Sequence, residues 1–369
     1  MKKTVLLIFG TRPEAIKLAP VYNELKVQKD SFNVKVAVTA QHRGMLDQVL
    51  NIFSIKPDYD LDVMENNQTL FNVTSKSILG LEHVLNDAQP DCVLVQGDTT
   101  TTFIGGLAAF YKKIKVGHIE AGLRTFNKYS PFPEEMNRKL TGAIADFHFP
   151  PTEVSKQNLL SEGINDSTIL VTGNTSIDAL LWVLNNKQPD FNAELGDLKK
   201  KEYVLITSHR RESFGKPMEE AFNALKELAT KYKSYKFIFP VHPNPNVREK
   251  VENILSDASN VLLTDPVGYV EFAHLMKNAK IIISDSGGIQ EEAPALNVPV
   301  LVLRNDTERP EGIKAGTAKL VGTNRDNILY ETAKLLDDAA YYASMASSVN
   351  PYGDGKASVK ICNYISSHI

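Results

Sequence analysis

The 369-residue chain is poor in cysteine, has no basic excess and contains no long apolar run. Its two cysteines, Cys92 and Cys362, cannot form a disulfide framework, and the apolar run around Cys92 is typical of a buried thiol in a reducing compartment. The 41 Lys and Arg against 44 Asp and Glu give a net charge of −3, which argues against a nucleic-acid partner. No stretch approaches the ~20 apolar residues of a membrane helix, and the apolar N-terminus is too short for a secretory signal. We therefore expect a cytoplasmic protein that binds neither nucleic acid nor membrane.

Several cofactor motifs are also missing. The chain has no Gly-x-Gly-x-x-Gly turn, no Walker loop, no His-Glu-x-x-His and no cysteine pairs with zinc spacing. These patterns hold dinucleotides, nucleoside triphosphates or zinc in the proteins that carry them. We therefore expect no cofactor and no metal, and any anion site must be built from individually placed side chains.

Short apolar runs alternate with helical patterns along almost the whole chain. Runs rich in Val, Ile and Leu between helices are typical of parallel strands that are covered on both faces. The predicted fold class is therefore α/β. The candidate strands are residues 4–9, 34–39, 92–96, 115–119, 147–150, 204–207, 237–240, 261–263, 281–284 and 300–303.

The pattern has a two-part symmetry. Residues 1–40 and 202–240 each begin with a strand, continue through a polar turn and enter a helix. We interpret this symmetry as two Rossmann-like, doubly wound domains facing a cleft, with the polar stretch 185–202 as the best linker. The expected domains are residues 1–171 and residues 172–352, with a C-terminal helix at 353–369 that packs back on the first domain.

Polar residues directly after the apolar runs are the candidates for a ligand site, because open parallel sheets bind ligands beyond the carboxyl ends of their strands. The first half supplies cations and acids in this position, and the second half supplies a histidine. Any one of them could be an ordinary helix-capping residue, whereas their joint placement indicates a site. They are Arg12, Lys17, Asp98, Glu120 and His209.

The segment Ser284-Asp-Ser-Gly-Gly288 predicts a phosphate loop. A strand ends there, two glycines allow close approach, and a helix begins with free backbone N–H groups. Glu292 then lies about one turn into the helix, where it can accept hydrogen bonds from ribose hydroxyls. The alternative is a plain strand–helix turn capped by Ser286, and we favour phosphate because Arg309 can supply positive charge.

Glu134 lies at a predicted helix start and has two interpretations. With Arg138 it forms an i,i+4 pair, which on a surface contributes only a few tenths of a kcal/mol. Alternatively it points into the cleft beside Asp98 and Glu120, where crowded carboxylates would separate an acid from a base.

Seven motifs, in order from residue 8 to about residue 330, resemble those of the non-hydrolysing UDP-N-acetylglucosamine 2-epimerases. The resemblance implies a glycosyltransferase-B-type fold and a cytoplasmic homodimer that interconverts UDP-GlcNAc and UDP-ManNAc for cell-surface polysaccharide. It also implies a route through elimination of UDP to a 2-acetamidoglucal, followed by re-addition. The motifs are Gly10-Thr-Arg-Pro-Glu14, Gln96-Gly-Asp-Thr99, His118-Ile-Glu-Ala-Gly-Leu-Arg124, Pro133-Glu-Glu-Met-Asn-Arg138, His209-Arg-Arg-Glu212, Pro240-Val-His-Pro-Asn-Pro245 and Ser284-Asp-Ser-Gly-Gly288.

The resemblance also implies roles for individual residues. Asp98, Glu120 and Glu134 correspond to the acid/base carboxylates, and which of them removes the proton stays open. His209 corresponds to the catalytic-site histidine, and we expect it to support the diphosphate rather than to abstract a proton. The residues expected to bind the UDP-sugar are Arg12, Lys17, Phe272, Ser286, Gly287, Gly288, Glu292 and Arg309.

Substrate-activated bacterial members of the family carry an additional UDP-GlcNAc site, of which this chain keeps a remnant at Gln41, Gln68 and His242. Gly44 stands where those members have a Gln, and Asn67 stands where they have an Arg. Because a charged contact and an amide are lost, we predict weak or absent substrate activation. Steady-state kinetics with UDP-ManNAc test this, since turnover that requires added UDP-GlcNAc would contradict it.

Four other functions stay open at the level of sequence. A sibling epimerase would act on a UDP-2,3-diacetamido sugar uronate by the same route. A UDP-sugar glycosyltransferase would share the fold and the phosphate loop, although it would not explain the three carboxylates. A hydrolysing epimerase would release free ManNAc, and a UDP-sugar sensor would have no use for the acids. Fold does not decide among these, because function depends on the site.

Overall fold

A computed structural model describes residues 2–40, 43–64, 69–210 and 213–369. The chain divides into two compact units. The first unit comprises residues 1–179 and 353–369, and the second comprises residues 180–352. Within the described residues, no helix combines the length and the apolar character needed to cross a membrane.

The described part of the first unit contains a six-stranded sheet whose neighbouring strands all pair in parallel. Its strands are β1 Lys3–Phe9, β2 Phe32–Val38, β3 Tyr59–Asp60, β4 Cys92–Gln96, β5 Lys115–Ile119 and β6 Phe147–Phe149, in the order β3-β2-β1-β4-β5-β6. Its helices are α1 Arg12–Val27, α2 Arg43–Phe53, α3 Leu70–Ala88, α4 Thr100–Tyr111, α5 Glu134–Ile144 and α6 Glu153–Ser161, with α7 Thr175–Asn186 crossing into the second unit.

The described part of the second unit repeats this plan. Its strands are β7 Tyr203–Thr207, β8 Lys236–Pro240, β9 Val261–Thr264, β10 Ile281–Ser284, β11 Val300–Val302 and β12 Ala318–Leu320, in the order β12-β11-β10-β7-β8-β9. Its helices are α8 Ala193–Gly196, α9 Lys216–Lys231, α10 Pro245–Leu255, α11 Tyr269–Asn278, α12 Gly287–Glu292, α13 Pro310–Lys314, α14 Arg325–Asp337 and α15 Ala339–Ala346. The helix α16 Ala357–His368 returns to the first unit.

Both sheets therefore have the strand order of a Rossmann fold, 3-2-1-4-5-6 when the strands of each unit are counted separately. The predicted α/β class and the Rossmann-like pattern are confirmed. In each sheet the order reverses between the first and the fourth strand, and ligands bind beside such a switch point. The loops after β1 and β4, and those after β7 and β10, are thus the places to look for a site.

The sheets form because their strands are apolar on both faces. Val5, Leu6, Leu7 and Ile8 of β1 are fully buried, as are Ile281, Ile282 and Ile283 of β10. The two edge strands β3 and β12 were missed by the sequence prediction, because they are two and three residues long and partly exposed. Directly before β3, the Asp58 carboxylate accepts the Val36 N–H of β2 at 2.8 Å.

The predicted linker at 185–202 lies inside the second unit and contains α8, whereas the division between the units falls within α7. The last helix, α16, packs against α1 in the first unit. Its N-terminus is held by the buried carboxylate of Asp178, which accepts the backbone N–H groups of Ala357 and Ser358 at 3.2 and 2.8 Å. Both cysteines are buried and free.

Candidate active site

Glu120 lies at the end of β5 and is 8% exposed. Its carboxylate accepts hydrogen bonds from Lys17 and Gln96, and from the Asn174 amide at 3.0 Å. Its φ of 63° is in the left-handed region, which is unfavourable for a residue with a Cβ and is held there by the surrounding contacts. Because the three groups named here are all donors, this environment favours the ionised carboxylate.

Asp98 follows β4 and has a different environment. Burial raises the pKa of its carboxyl, and the charges of Glu120 and Glu134 raise it further, whereas Arg138 and Lys17 oppose the shift. Oδ2 of Asp98 lies 2.7 Å from Nη2 of Arg138. The first unit therefore holds one carboxylate that is stabilised as an anion close to one that is biased toward the protonated form, an arrangement that separates a base from an acid.

Glu134 is the first residue of α5 and is partly buried. Its charge acts on Asp98, which places it in the same neighbourhood. The surface pair between Glu134 and Arg138 that the sequence allowed is wrong, because Arg138 pairs with Asp98 and with Glu135 instead. Among the described contacts, Glu134 therefore forms no ion pair with Arg138, and its charge acts on Asp98.

Glu14 belongs to this neighbourhood and was missed by the sequence analysis. Its carboxyl accepts the backbone N–H of Thr11 at 2.8 Å and the hydroxyls of Thr99 and Thr102 at 2.7 and 3.0 Å. It is buried, and burial raises its pKa. Thr11 and Glu14 form a capping box at the start of α1, a signal that the sequence does contain. Glu14 ties the loop after β1, directly before Arg12, to the start of α4 that follows Asp98.

His118 supports this loop from inside the sheet. The fully buried ring lies with Nε2 at 2.7 Å from the Gly97 carbonyl oxygen, directly before Asp98. Burial lowers its pKa from 6.5 to about 3, although the Gly97 carbonyl favours the protonated ring. The ring is therefore neutral in the native protein at physiological pH.

We predict that His118 makes the protein less stable as the pH falls below about 6.5. The unfolded chain takes up a proton at this ring near pH 6.5, whereas the native state resists protonation down to about pH 3. From pH 7.5 to 5.5 this group alone lowers the free energy of unfolding by about 1.4 kcal/mol. Calorimetry of the wild type and of His118→Gln, which keeps a donor for Gly97, measures it. An equal loss of melting temperature in both proteins would contradict the prediction.

The second unit centres on Asp285, which follows β10 and is fully buried. Its Oδ2 accepts the backbone N–H groups of His209 and Arg210 at 2.7 and 2.9 Å, and its Oδ1 lies 3.0 Å from Nδ1 of His209. Burial would raise the pKa of Asp285, but the contacts with His209 outweigh it and hold the pKa below the usual value. The carboxylate therefore lies at ion-pair distance from Nδ1 of His209, where it can stabilise positive charge on this exposed ring, although the two atoms are not aligned as a hydrogen bond.

His242, which the sequence assigned to a regulatory remnant, stacks on His209 with ring centroids 5.6 Å apart. Its Nδ1 accepts the Asn244 N–H at 3.1 Å, and partial burial lowers its pKa. The other remnant residues, Gln41 and Gln68, lie outside the described residues, as does Asn67. Gly44 is described: it is the second residue of α2, and an added Cβ there would meet open space.

The loop after β10 has the geometry expected of a close-approach turn. Ser286 is the N-cap residue of α12, and its N–H donates to the Ser284 hydroxyl at 2.9 Å. Arg309 crosses over Gly287 and is held by Glu291, with Nε 2.8 Å from Oε1. Gly288 is exposed at the same turn. The other predicted contacts, Glu292 and Phe272, are partly buried at the end of α12 and within α11.

We predict that Gly287→Ala weakens, by roughly tenfold, the binding of the UDP that the sequence leads us to expect at this loop. An added Cβ would lie 3.1 Å from Cζ of Arg309, and Glu291 restrains the guanidinium from moving away. Overpacking of this kind costs about 1–3 kcal/mol. Titration calorimetry with UDP measures it, and Gly196→Ala, whose added Cβ meets open space, is the matched control. If the affinity for UDP were unchanged in Gly287→Ala, the Arg309 guanidinium would be able to move aside without weakening UDP binding, and the prediction would be wrong.

Within the described residues, no group of three or more His, Cys, Asp or Glu is arranged to hold a metal ion.

The profile of the UDP-N-acetylglucosamine 2-epimerase family matches residues 24–366. The chain belongs to this family. A relative from Escherichia coli K12, named UDP-N-acetylglucosamine 2-epimerase, is 53% identical over 365 residues, which cover 97% of this chain and 96% of the relative.

Solved structures of the family agree in fold. The Neisseria meningitidis UDP-GlcNAc 2-epimerase bound to UDP-GlcNAc has a TM-score of 0.86 at 50% identity, covering 99% of this chain and 100% of that one. The Methanocaldococcus jannaschii enzyme in complex with UDP-GlcNAc and UDP has a TM-score of 0.80 at 35% identity, covering 99% of both chains. A glycosyltransferase of kitacinnamycin shares the fold at 10% identity, with a TM-score of 0.67.

Proposed function

We propose that the protein is an isomerase that interconverts UDP-GlcNAc and UDP-ManNAc. The observation that carries this proposal is the pair of carboxyl groups with opposite environments, Asp98 and Glu120, at the ends of neighbouring strands. Inversion at C2 requires one group to remove a proton and another to return it on the opposite face of the sugar. The names of the family relatives support the same substrate.

The proposed route avoids oxidation of the sugar. The C2 hydrogen is not acidic, since no carbonyl is adjacent, so its removal is coupled to cleavage of the C1–O bond and departure of UDP. The product of this step is a 2-acetamidoglucal with a C1–C2 double bond. UDP then re-adds at C1 while C2 receives a proton on the other face. Glu120, held as an anion, suits the base, and Asp98, with its raised pKa, suits the acid.

The departing diphosphate needs stabilisation, because charge develops on it as the C1–O bond breaks. We assign this role to the exposed ring of His209, to the backbone of Ser286, Gly287 and Gly288, and to Arg309. Arg12 and Lys17 add positive charge in the first unit. Phe272 and Glu292 are the proposed contacts to uracil and ribose.

Proton NMR of UDP-GlcNAc with the enzyme in D2O, without added metal or cofactor, tests the proposal. The expected result is UDP-ManNAc with deuterium at C2, since the proton that returns comes from solvent. Reaction only with a UDP-2,3-diacetamido sugar uronate would keep the route and change the substrate. UDP release that depends on an acceptor would instead indicate a glycosyltransferase, and free ManNAc would indicate a hydrolysing epimerase.

We further propose that the enzyme acts as a cytoplasmic homodimer.

A further inference from the structure

Helix α5 buries three polar side chains to which the proposed chemistry assigns no role. Glu135, Asn137 and Arg138 are 2%, 8% and 8% exposed, although charged residues are seldom buried unless they are paired. They lie on the helix that begins with Glu134. Burying such groups is costly, so their partners indicate what they hold in place.

Two of these side chains hold residue 98. The Asn137 amide donates to the backbone carbonyl of Asp98 at 3.0 Å, and the Arg138 guanidinium lies 2.7 Å from Oδ2 of its carboxyl. The backbone and the side chain of Asp98 are thus fixed from the same turn of α5. The contact with Arg138 is made through Oδ2, and Oδ1 is the other oxygen of the Asp98 carboxyl.

Glu135, the remaining buried side chain, holds the segment at Thr125 and Phe126. Its Oε1 accepts the Phe126 N–H at 3.0 Å, and its Oε2 accepts the Thr125 N–H at 3.0 Å. The same Oε2 lies 3.5 Å from Nη1 of Arg138. One buried carboxylate therefore joins the segment that follows Glu120 to the guanidinium that holds Asp98.

We propose that Glu135 and Arg138 are positioning residues of the reaction. Glu135 fixes the guanidinium of Arg138, and Arg138 fixes the orientation and the charge of the Asp98 carboxyl. The proposal rests on the function proposed above, in which Asp98 exchanges a proton with the sugar. Neither residue needs to touch the substrate for this role.

The chemistry of the two groups predicts how substitutions should differ. Arg138 opposes the burial that raises the pKa of Asp98, so Arg138→Met should raise that pKa further. Arg138→Lys keeps the positive charge but loses the planar guanidinium with its fixed donors. The lysine variant should therefore keep the titration of Asp98 near its wild-type position while losing the orientation of its carboxyl.

The experiment compares Arg138→Met, Arg138→Lys and the control Lys139→Met, which removes a cation from an exposed position of the same helix. We expect Arg138→Met to lower kcat by about 10–100-fold with KM changed by less than about threefold, because misplaced reacting groups mainly slow the chemical step. The limb of the kcat–pH profile that reports Asp98 should move to higher pH by about one unit. Arg138→Lys should lose kcat without that shift, and Lys139→Met should match the wild type.

Glu135→Gln tests the other proposed positioning residue, since an amide offers one acceptor oxygen where the native carboxylate offers two. We expect a smaller loss of kcat than in Arg138→Met, again without a matching rise of KM. If all variants lost activity only in proportion to their folded fraction, with unshifted pH profiles, the residues would be structural and the proposal overturned. Full activity of Arg138→Met would overturn it as well.

A readout that needs no turnover separates this proposal from the proposed function. The carbon-13 resonance of the Asp98 carboxyl, assigned by its absence in Asp98→Asn, can be titrated in the wild type and in Arg138→Met. An upward shift in the variant supports the control of Asp98 by Arg138 even if UDP-GlcNAc is not the substrate. An unchanged titration contradicts the proposal even if epimerisation is observed.

Discussion

Replacing Glu120 by Gln is expected to lower kcat by about 10²–10⁴-fold while UDP affinity stays within about threefold of the wild type. The carboxylate is held by Lys17, Gln96 and Asn174, and Gln at this position cannot accept a proton from C2. The loop after β10 that we assign to the diphosphate lies in the other unit and is not altered. The same outcome is expected for Asp98→Asn.

Initial rates of C2–H exchange in D2O and calorimetric titration with UDP measure the two quantities separately. Glu153→Gln is the matched control, because it makes the same change at an exposed position of the first unit. Melting temperatures of all variants show whether the buried amide at position 120 disturbs the fold. If UDP binding fell in step with turnover, Glu120 would be a binding or folding group rather than a proton-transfer group.

The fold was largely predictable, for a physical reason. Parallel strands covered on both faces are continuous apolar runs, so β1, β4, β7 and β10 were visible in the sequence. The edge strands β3 and β12 were not, because their sequences, Tyr-Asp and Ala-Lys-Leu, contain no apolar run. The division inside α7 could not be predicted either, since a helix that crosses between two units has no compositional signal at the crossing.

The candidate site divides in a similar way. The residues that the sequence could indicate are those whose place follows from the end of a strand, such as Asp98, Glu120 and His209. The missed residues are the ones that hold these in place. Glu135 was overlooked because its partners lie in a loop nine and ten residues earlier. A capping pattern could have identified Glu14, but no sequence pattern links Asp285 to a histidine 76 residues before it.

Asp285→Asn is the second change with a large expected effect, a fall in kcat of about 10²–10³-fold, as for the loss of one group that stabilises a developing anion. An Asn oxygen can still accept the backbone N–H groups of His209 and Arg210, but its NH2 group then faces Nδ1 of His209. The neutral amide no longer stabilises positive charge on the ring, so the ring loses the charge with which its Nε2–H would support the departing diphosphate.

Nitrogen-15 NMR of the histidine rings tests the protonation of His209 directly, and kcat tests its consequence. Asp265→Asn is the control, because it makes the same substitution in the second unit at a side chain that is 81% exposed. UDP affinity should fall much less than kcat, since the ring supports charge that develops as UDP departs. Unchanged protonation of the ring together with a large loss of kcat would mean that Asp285 acts by holding the backbone at 208–210. A normal kcat would remove His209 from the proposed mechanism.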